Sequence, residues 1–186
     1  MKSLWIDIGC GRKKQKGCIG IDVSGDTDAD IVTNLDKGIP LDDNSCERVY
    51  ANHFLEHVKD FLFFMGEIHR VLKPCGKAFI RVPHYSHPGA FVDFTHKYFF
   101  ATATFDYFGT NSYDYYTDLR FKVKRRKLIY QTDGFVMYRK VYPAYLMLRV
   151  WGWFIQRLAD ISPEGTERFL GFLGFKELYF ELEAEK

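Results

Sequence analysis

Asp7-Ile8-Gly9-Cys10-Gly11 closes the apolar run 4–8, and eleven residues past Gly11 stands Asp22, within Ile21-Asp22-Val23. The reading of this chain turns on that pair of segments. Glycines directly after a strand let backbone approach a ligand closely and permit positive φ. An acidic residue at the end of the next strand can accept both hydroxyl hydrogens of a ribose, as dinucleotide-binding folds do. Glycine turns and strand-end aspartates are common, so the pair gains weight only from its neighbours. Asn34-Leu35 closes the apolar run 29–32, and Ala51-Asn52-His53 closes the run 48–51. Four strand ends with polar residues converge on one crevice if the sheet is open and parallel, because ligands of such sheets bind at the carboxyl ends of the strands.

The period then changes. Leu55, Val58, Leu62, Met65, Ile68 and Leu72 recur at three and four, which predicts an amphipathic helix over 55–72. Lys73-Pro74-Cys75-Gly76 ends it, and 77–82 follows as a fifth strand. Nearly continuous apolar strands plus a covering helix predict a parallel α/β sheet. Past Pro83 the pattern is less regular. Residues 91–108 read as partly helical, 120–130 as a strand with a basic cluster, and 143–160 as a helix. Ser162-Pro163 is a cap followed by a first-turn proline. Leu178, Phe180, Leu182 and Ala184 alternate with glutamates, which predicts a half-buried last strand.

The chain has 186 residues, the size of one domain over 1–186. Its 26 Lys+Arg against 24 Asp+Glu give a net charge of +2, which speaks against a dedicated nucleic-acid binder. The composition, 47% hydrophobic and 27% charged, is that of a folded globular chain. Cys10, Cys18, Cys46 and Cys75 form no C-x-x-C pair, so reduced thiols and a cytoplasmic location are expected. Asp7 interrupts the first apolar stretch, so no secretory signal is expected there. The apolar runs 141–148 and 150–156 are split by Arg149 and too short to span a bilayer. Aromatic residues are unevenly placed, 8 in residues 1–88 and 25 in residues 89–186. That contrast predicts a generic cofactor-binding half followed by a ring-lined acceptor-binding half.

Asp7-Ile8-Gly9-Cys10-Gly11, Gly20-Ile21-Asp22, Ile39-Pro40-Leu41 with Asp43-Asn44-Ser45, and His53-Phe54-Leu55-Glu56-His57 resemble the successive motifs of class I S-adenosylmethionine-dependent methyltransferases, in particular the type 11-like methyltransferase domain. Glu67-Ile68-His69-Arg70-Val71-Leu72-Lys73-Pro74-Cys75-Gly76 is similar to that family's helix-end signature, with Cys75 where glycine is usual. The resemblance covers about residues 3–85. It implies a Rossmann-like, mostly parallel sheet with helices on its faces, continued by an aromatic-rich α+β extension. It implies S-adenosylmethionine as cofactor: Gly9, Cys10 and Gly11 against the methionine and ribose, with Asp7 orienting their loop. Asp22 and Val23 would meet the ribose, Asn34 and Leu35 the adenine, and Asn52 and His53 would lie beneath the methionine. One departure is plain. About ten residues separate the first two strands, too few for the full helix the family places there. Arg12 or Lys13 on that loop is a candidate partner for the methionine carboxylate.

Pro83-His84-Tyr85-Ser86-His87-Pro88 and Asp93-Phe94-Thr95-His96 follow the fifth strand. His84, Asp93 and His96 are the candidate catalytic residues, since imidazole titrates near neutral pH and suits a general base. The same residue types serve structural hydrogen bonding or a divalent metal, and spacing does not separate these readings. Over 143–160 only Arg149, Gln156, Arg157 and Asp160 form a narrow polar stripe. A helix apolar round most of its circumference is a core or homodimer helix, or an interfacial segment at a membrane surface admitting lipid-linked or amphiphilic acceptors. Residues 111–150 carry nine basic against three acidic side chains, which suits anionic head groups. The expected activity is methyl transfer to oxygen or nitrogen of a small or lipid-linked acceptor. Two alternatives stand beside it: an S-adenosylmethionine-binding partner subunit without catalysis, and a nucleotide-dependent oxidoreductase. The latter lacks the third glycine of its fingerprint, where Lys14 stands.

Overall fold

The computed structural model describes residues 4–109, 117–130 and 144–186. Seven strands form one sheet: β1 (Trp5–Ile8), β2 (Ile19–Asp22), β3 (Ile31–Val32), β4 (Cys46–Asn52), β5 (Leu72–Pro83), β6 (Phe121–Ile129) and β7 (Glu177–Ala184). Their order is β3-β2-β1-β4-β5-β7-β6. The pairs from β3 through β5 are parallel, and β7 runs antiparallel to both β5 and β6. The expected parallel sheet is therefore present, and the second half of the chain extends it with one reversed strand.

Between β1 and β2 the chain makes only turns, and between β3 and β4 a single 3-10 turn at Leu35–Lys37. The missing helix read from the loop length is borne out. One face of the sheet packs under α1 (Phe61–Val71), which turns Phe64, Met65, Ile68 and Val71 inward. Ile6, Val49, Ile80, Phe180 and Leu182 are fully buried on that side. Alternate residues such as Trp5, Arg48, Tyr50 and Phe79 stay partly exposed. There the Arg48 guanidinium lies 4.2 Å from the Trp5 ring centre, and Tyr50 stacks on Phe79 at 4.8 Å.

Three expectations change. The helix over 55–72 begins at Phe61, because His53 takes a positive φ of 50° and Asp60 caps the first turn by accepting from the Phe63 N–H at 2.9 Å. Leu55 and Val58 keep the helical spacing only as buried loop residues. Over 91–108 the helical content reduces to the end of α2 (Gly89–Val92) and a 3-10 turn at Thr104–Phe108. The described aromatic residues of the second half divide between core and surface: Phe100, Phe105, Phe108, Phe121, Phe175 and Phe180 are among the largest fully buried side chains, while Phe91, Phe94, Trp153 and Phe172 are exposed. Cys75, where the signature usually has glycine, sits at φ +61°.

α3 (Ala144–Ile161) and α4 (Pro163–Leu170) follow, with Pro143, the expected first residue of the former, outside the described residues. Ser162 caps α4 with proline in its first turn, as its sequence predicts. α3 buries Ile155 and Ala159 but leaves Val150, Trp151, Trp153 and Phe154 exposed. Among the described residues no helix is long and apolar enough to cross a membrane.

Candidate active site

A cleft opens at the carboxyl ends of β1, β2 and β4 as two lobes that share Gly9 and His53. The first, about 410 Å³, takes in Asp22, Val23, Asn34, Leu35, Asp36 and His57. The second, about 400 Å³, is lined by Asp7, Cys10, Gly11, Arg12, Lys13 and Asn52. Both are of the size of small-molecule sites. All ten expected cofactor-binding residues thus line the cleft.

The loop over the cleft floor depends on glycine. Gly9 and Gly11 have φ of +61° and +54°, and a Cβ on Gly9 would meet the Phe54 ring at 2.2 Å. Asp22 fixes the loop across the cleft: its Oδ2 accepts from the Gly11 N–H at 3.0 Å and its Oδ1 from the Ser24 N–H at 3.0 Å. A carboxylate offers about four acceptor positions, so two remain for ligand hydroxyls. Val23 is exposed beside it and provides an apolar wall. Asn34 is committed differently from expectation. Its Oδ1 accepts from the Asp36 N–H at 2.9 Å and caps the 3-10 turn. Asp36, which the sequence reading passed over, lines the same lobe with a carboxylate paired to Lys59 at 2.7 Å.

Charge in the second lobe is sorted by burial. Asp7 is buried, its Oδ2 accepting from the Gln15 N–H at 2.7 Å while Oδ1 has no partner. Burial pushes its carboxyl up, against the pull of the Gln15 N–H. His53 lies between the carboxylates of Glu177 at 3.7 Å and Glu56 at 3.2 Å. They hold the imidazolium, with its pKa raised to about 9.

The three expected catalytic residues separate in space. His84 is fully buried, Nδ1 bonded to Ser86 Oγ and Nε2 to Glu167 Oε1, each at 2.7 Å. Glu167 also accepts from the N–H and hydroxyl of Thr102. Burial pushes the Glu167 carboxyl up, but its bonds to His84 and Thr102 outweigh that and hold it below its ordinary value. With both nitrogens engaged inside the core, His84 ties β5 to α4 and leaves no lone pair for a substrate. This corrects its grouping with Asp93 and His96.

Asp93 and His96 instead join His57. Thr95 Oγ1 donates to Asp93 Oδ1 at 2.6 Å and so can only accept from His57 Nδ1, at 2.8 Å. His96 Nδ1 donates to the Ala90 carbonyl at 2.9 Å. The two imidazole rings are 4.7 Å apart. Thr95 bonds hold the Asp93 carboxyl below its usual range. His57, the last residue of the His53-Phe54-Leu55-Glu56-His57 motif, lines the cleft, and the signal for its place there is tertiary, its bond to Thr95 thirty-eight positions on.

A sequence family described as a methyltransferase domain matches residues 6–80. Over that segment the chain is similar to methyltransferase domains. Solved structures show the same fold over the whole chain. The YcgJ protein of Bacillus subtilis aligns with a TM-score of 0.59 at 15% identity, over 100% of this chain and 93% of the other. A chain of the complex between the Haloferax volcanii Trm112 methyltransferase activator and a candidate methyltransferase gives 0.61 at 21% identity, over 99% and 83%. A SAM-dependent methyltransferase from Archaeoglobus fulgidus gives 0.60 at 17% identity, over 98% and 86%. A search of curated proteins found no match. The cofactor of such domains is S-adenosylmethionine, and the cleft of this chain has the donor set for it. Asp22 carries spare acceptors for ribose hydroxyls, Asp7 Oδ1 is a buried acceptor without a donor, and Arg12, Lys13 and His53 bring positive charge to the same lobe.

Proposed function

We propose that this chain catalyses methyl transfer from S-adenosylmethionine to oxygen or nitrogen of a small or lipid-linked acceptor. The observation that carries the reading is the Gly9–Gly11 loop, held at positive φ and bonded through the Gly11 N–H to Asp22 at the end of the next strand. That arrangement leaves acceptors for a ribose on one side of Gly9 and an orphaned carboxylate oxygen for an ammonium on the other. Arg12, Lys13 and the His53 imidazolium suit the carboxylate of the methionine part. Asp36 and Asn34 sit where an adenine edge would lie.

The cofactor, when bound, supplies an electrophilic methyl group on a sulfonium. The protein's work is then to position the acceptor in line and to exclude water, since alignment contributes much of such an acceleration. A hydroxyl acceptor must also lose a proton. His57 lines the first lobe with His96 packed against its ring, and each Nδ1 is engaged as a donor, so each Nε2 carries a lone pair. Asp93 keeps its proposed place through Thr95, orienting His57 instead of touching substrate. Calorimetric titration with S-adenosylmethionine, followed by transfer of a labelled methyl group to hydroxylated and amine acceptors, tests the reading. Tight binding with no transfer to any acceptor would favour the partner-subunit alternative.

The exposed row Val150, Trp151, Trp153 and Phe154 on α3 favours an amphiphilic acceptor or a second copy of the chain. Trp151→Glu separates the two: loss of a dimer in light scattering supports a second copy, and loss of binding to anionic vesicles at unchanged mass supports the lipid. A wild-type monomer that ignores vesicles would remove both.

A further inference from the structure

We infer that Glu56, His57 and His96 form a binding site for one first-row divalent transition metal ion at the edge of the cleft. Each residue offers a ligand atom, and these atoms lie within 4.8 Å of one another. Three features point to a cation.

The ring tautomers are set by their surroundings. The Ala90 carbonyl can only accept, so His96 Nδ1 carries the proton. The Thr95 hydroxyl hydrogen is directed to Asp93, so Thr95 Oγ1 accepts from His57 Nδ1–H. Both Nε2 atoms are therefore lone-pair donors, with no hydrogen-bond partner among the described residues. An imidazole whose other nitrogen donates to a carbonyl or a carboxylate-linked group is the arrangement that orients metal-ligating histidines.

Glu56 is fully buried, and its Oε2 has no hydrogen-bond partner. Its Oε1 is held by His53 at 3.2 Å, which fixes the carboxylate. A buried carboxylate oxygen without a donor costs about 1–3 kcal/mol or more, and a metal ion removes that cost.

The third feature is the gap facing Asp93. Asp93 Oδ2 lies 3.8 Å from His96 Nε2, two electron-rich atoms too far apart for a hydrogen bond. A cation held by His96 Nε2 would offset the repulsion between them without Asp93 serving as a ligand. Two imidazoles and a carboxylate suit zinc, iron, cobalt or nickel better than magnesium or calcium, which prefer oxygen alone. Ligand bonds of about 2.0–2.2 Å bring tetrahedral ligand atoms to about 3.4 Å of one another, so the side chains must close inward on the ion.

Three protein ligands leave coordination positions open, the pattern of catalytic rather than structural sites. His57 lines the first lobe, so an open position there could take an acceptor hydroxyl and lower its pKa. That last consequence rests on the methyl-transfer reading; the metal site does not.

The test uses the purified full chain, stripped with chelator and titrated with Zn²⁺ by calorimetry and with Co²⁺ by visible absorption. The expected result is about one equivalent per chain and a Co²⁺ spectrum of nitrogen and oxygen ligands. His57→Ala and His96→Ala should each weaken binding at least about tenfold, and Thr95→Val should weaken it by about 10–100-fold through the ring it orients. Asp22→Ala should keep the metal while weakening S-adenosylmethionine binding, so the two readings fail separately. Wild-type protein that binds no stoichiometric Zn²⁺ or Co²⁺, or ligand variants that bind as tightly as wild type, would overturn the site.

Discussion

Gly9→Ala tests the loop on which the cofactor reading stands, and Gly11→Ala provides its internal reference. Both glycines are left-handed, with φ of +61° and +54°. A residue with a Cβ pays about 1–2 kcal/mol in that region. Alanine recovers about 0.4–1 kcal/mol by restricting the unfolded chain. A Cβ on Gly11 would meet nothing within 4 Å, so Gly11→Ala should cost only the difference, about 1 kcal/mol. A Cβ on Gly9 would lie 2.2 Å from the Phe54 ring, which itself packs on Phe64 at 4.9 Å. Forcing that ring off its rotamer adds about 0.5–1.5 kcal/mol. Gly9→Ala should therefore cost about 2 kcal/mol. For a chain of this size each kcal/mol lowers Tm by about 2–4 °C. Scanning calorimetry should show losses of about 2–4 °C for Gly11→Ala and about 4–8 °C for Gly9→Ala. In a Phe54→Ala background the Gly9 loss should shrink to that of Gly11. Equal losses for the two single variants, or an undiminished Gly9 loss without the ring, would refute the reasoning.

Asp22→Ala should weaken S-adenosylmethionine binding by about 1.5–3 kcal/mol in calorimetric titration, the range for hydrogen bonds to a charged group. Glu67 accepts from Arg70 Nε and Nη2 at 2.7 and 2.8 Å and from the Ile39 N–H at 2.7 Å, which holds its carboxyl below the ordinary 4.5. A depressed carboxylate stabilises the fold above its unfolded value and loses that contribution as pH falls through the folded value. Glu67→Gln should thus lower Tm at neutral pH and flatten the acid-side decline below pH 4.5, measured by a Tm–pH series. Cys75→Gly should raise Tm, because relief at φ +61° exceeds the added freedom of the unfolded chain by about 0.5–1 kcal/mol; a fall in Tm would contradict the strain. His84→Ala should cost about 2 kcal/mol of stability by leaving Glu167 and Ser86 short of a partner, while S-adenosylmethionine affinity stays unchanged.

The strands were legible because each carries its signal locally. Ile19–Asp22 is bounded by Gly17 and Ser24, and Glu177–Ala184 alternates glutamate with apolar residues on a two-residue period. The short connection between β1 and β2 was legible from chain length alone. The start of α1 was not, because Leu55 and Val58 keep helical spacing while burying themselves from a loop. The site divides the same way. The glycine loop and Asp22 are close in sequence and announce each other. The fate of His84 is decided by Glu167, eighty-three residues away, and that of His57 by Thr95, so residue type alone could not separate His84 from His96 or bring in His57. Asp36 lines the first lobe two residues past an asparagine that looked better suited to an adenine edge, and only the capping bond shows that the Asn34 oxygen is already engaged.

The placement of β7 has a consequence for how the sheet is completed. The last strand in sequence lies between β5 and β6, pairing with Lys77–Pro83 on one side and Phe121–Ile129 on the other. Until it arrives, β6 has no strand to join, and its row of lysines and arginines can only wait in solvent. Pairings this distant along the chain close slowly, because the intervening loop entropy is paid first. The cofactor half can order β1 to β5 while β5 still presents an open edge, a species exposed to strand exchange between molecules. Shortening the chain by the eight residues of β7 would therefore strip the sheet of two strands rather than one.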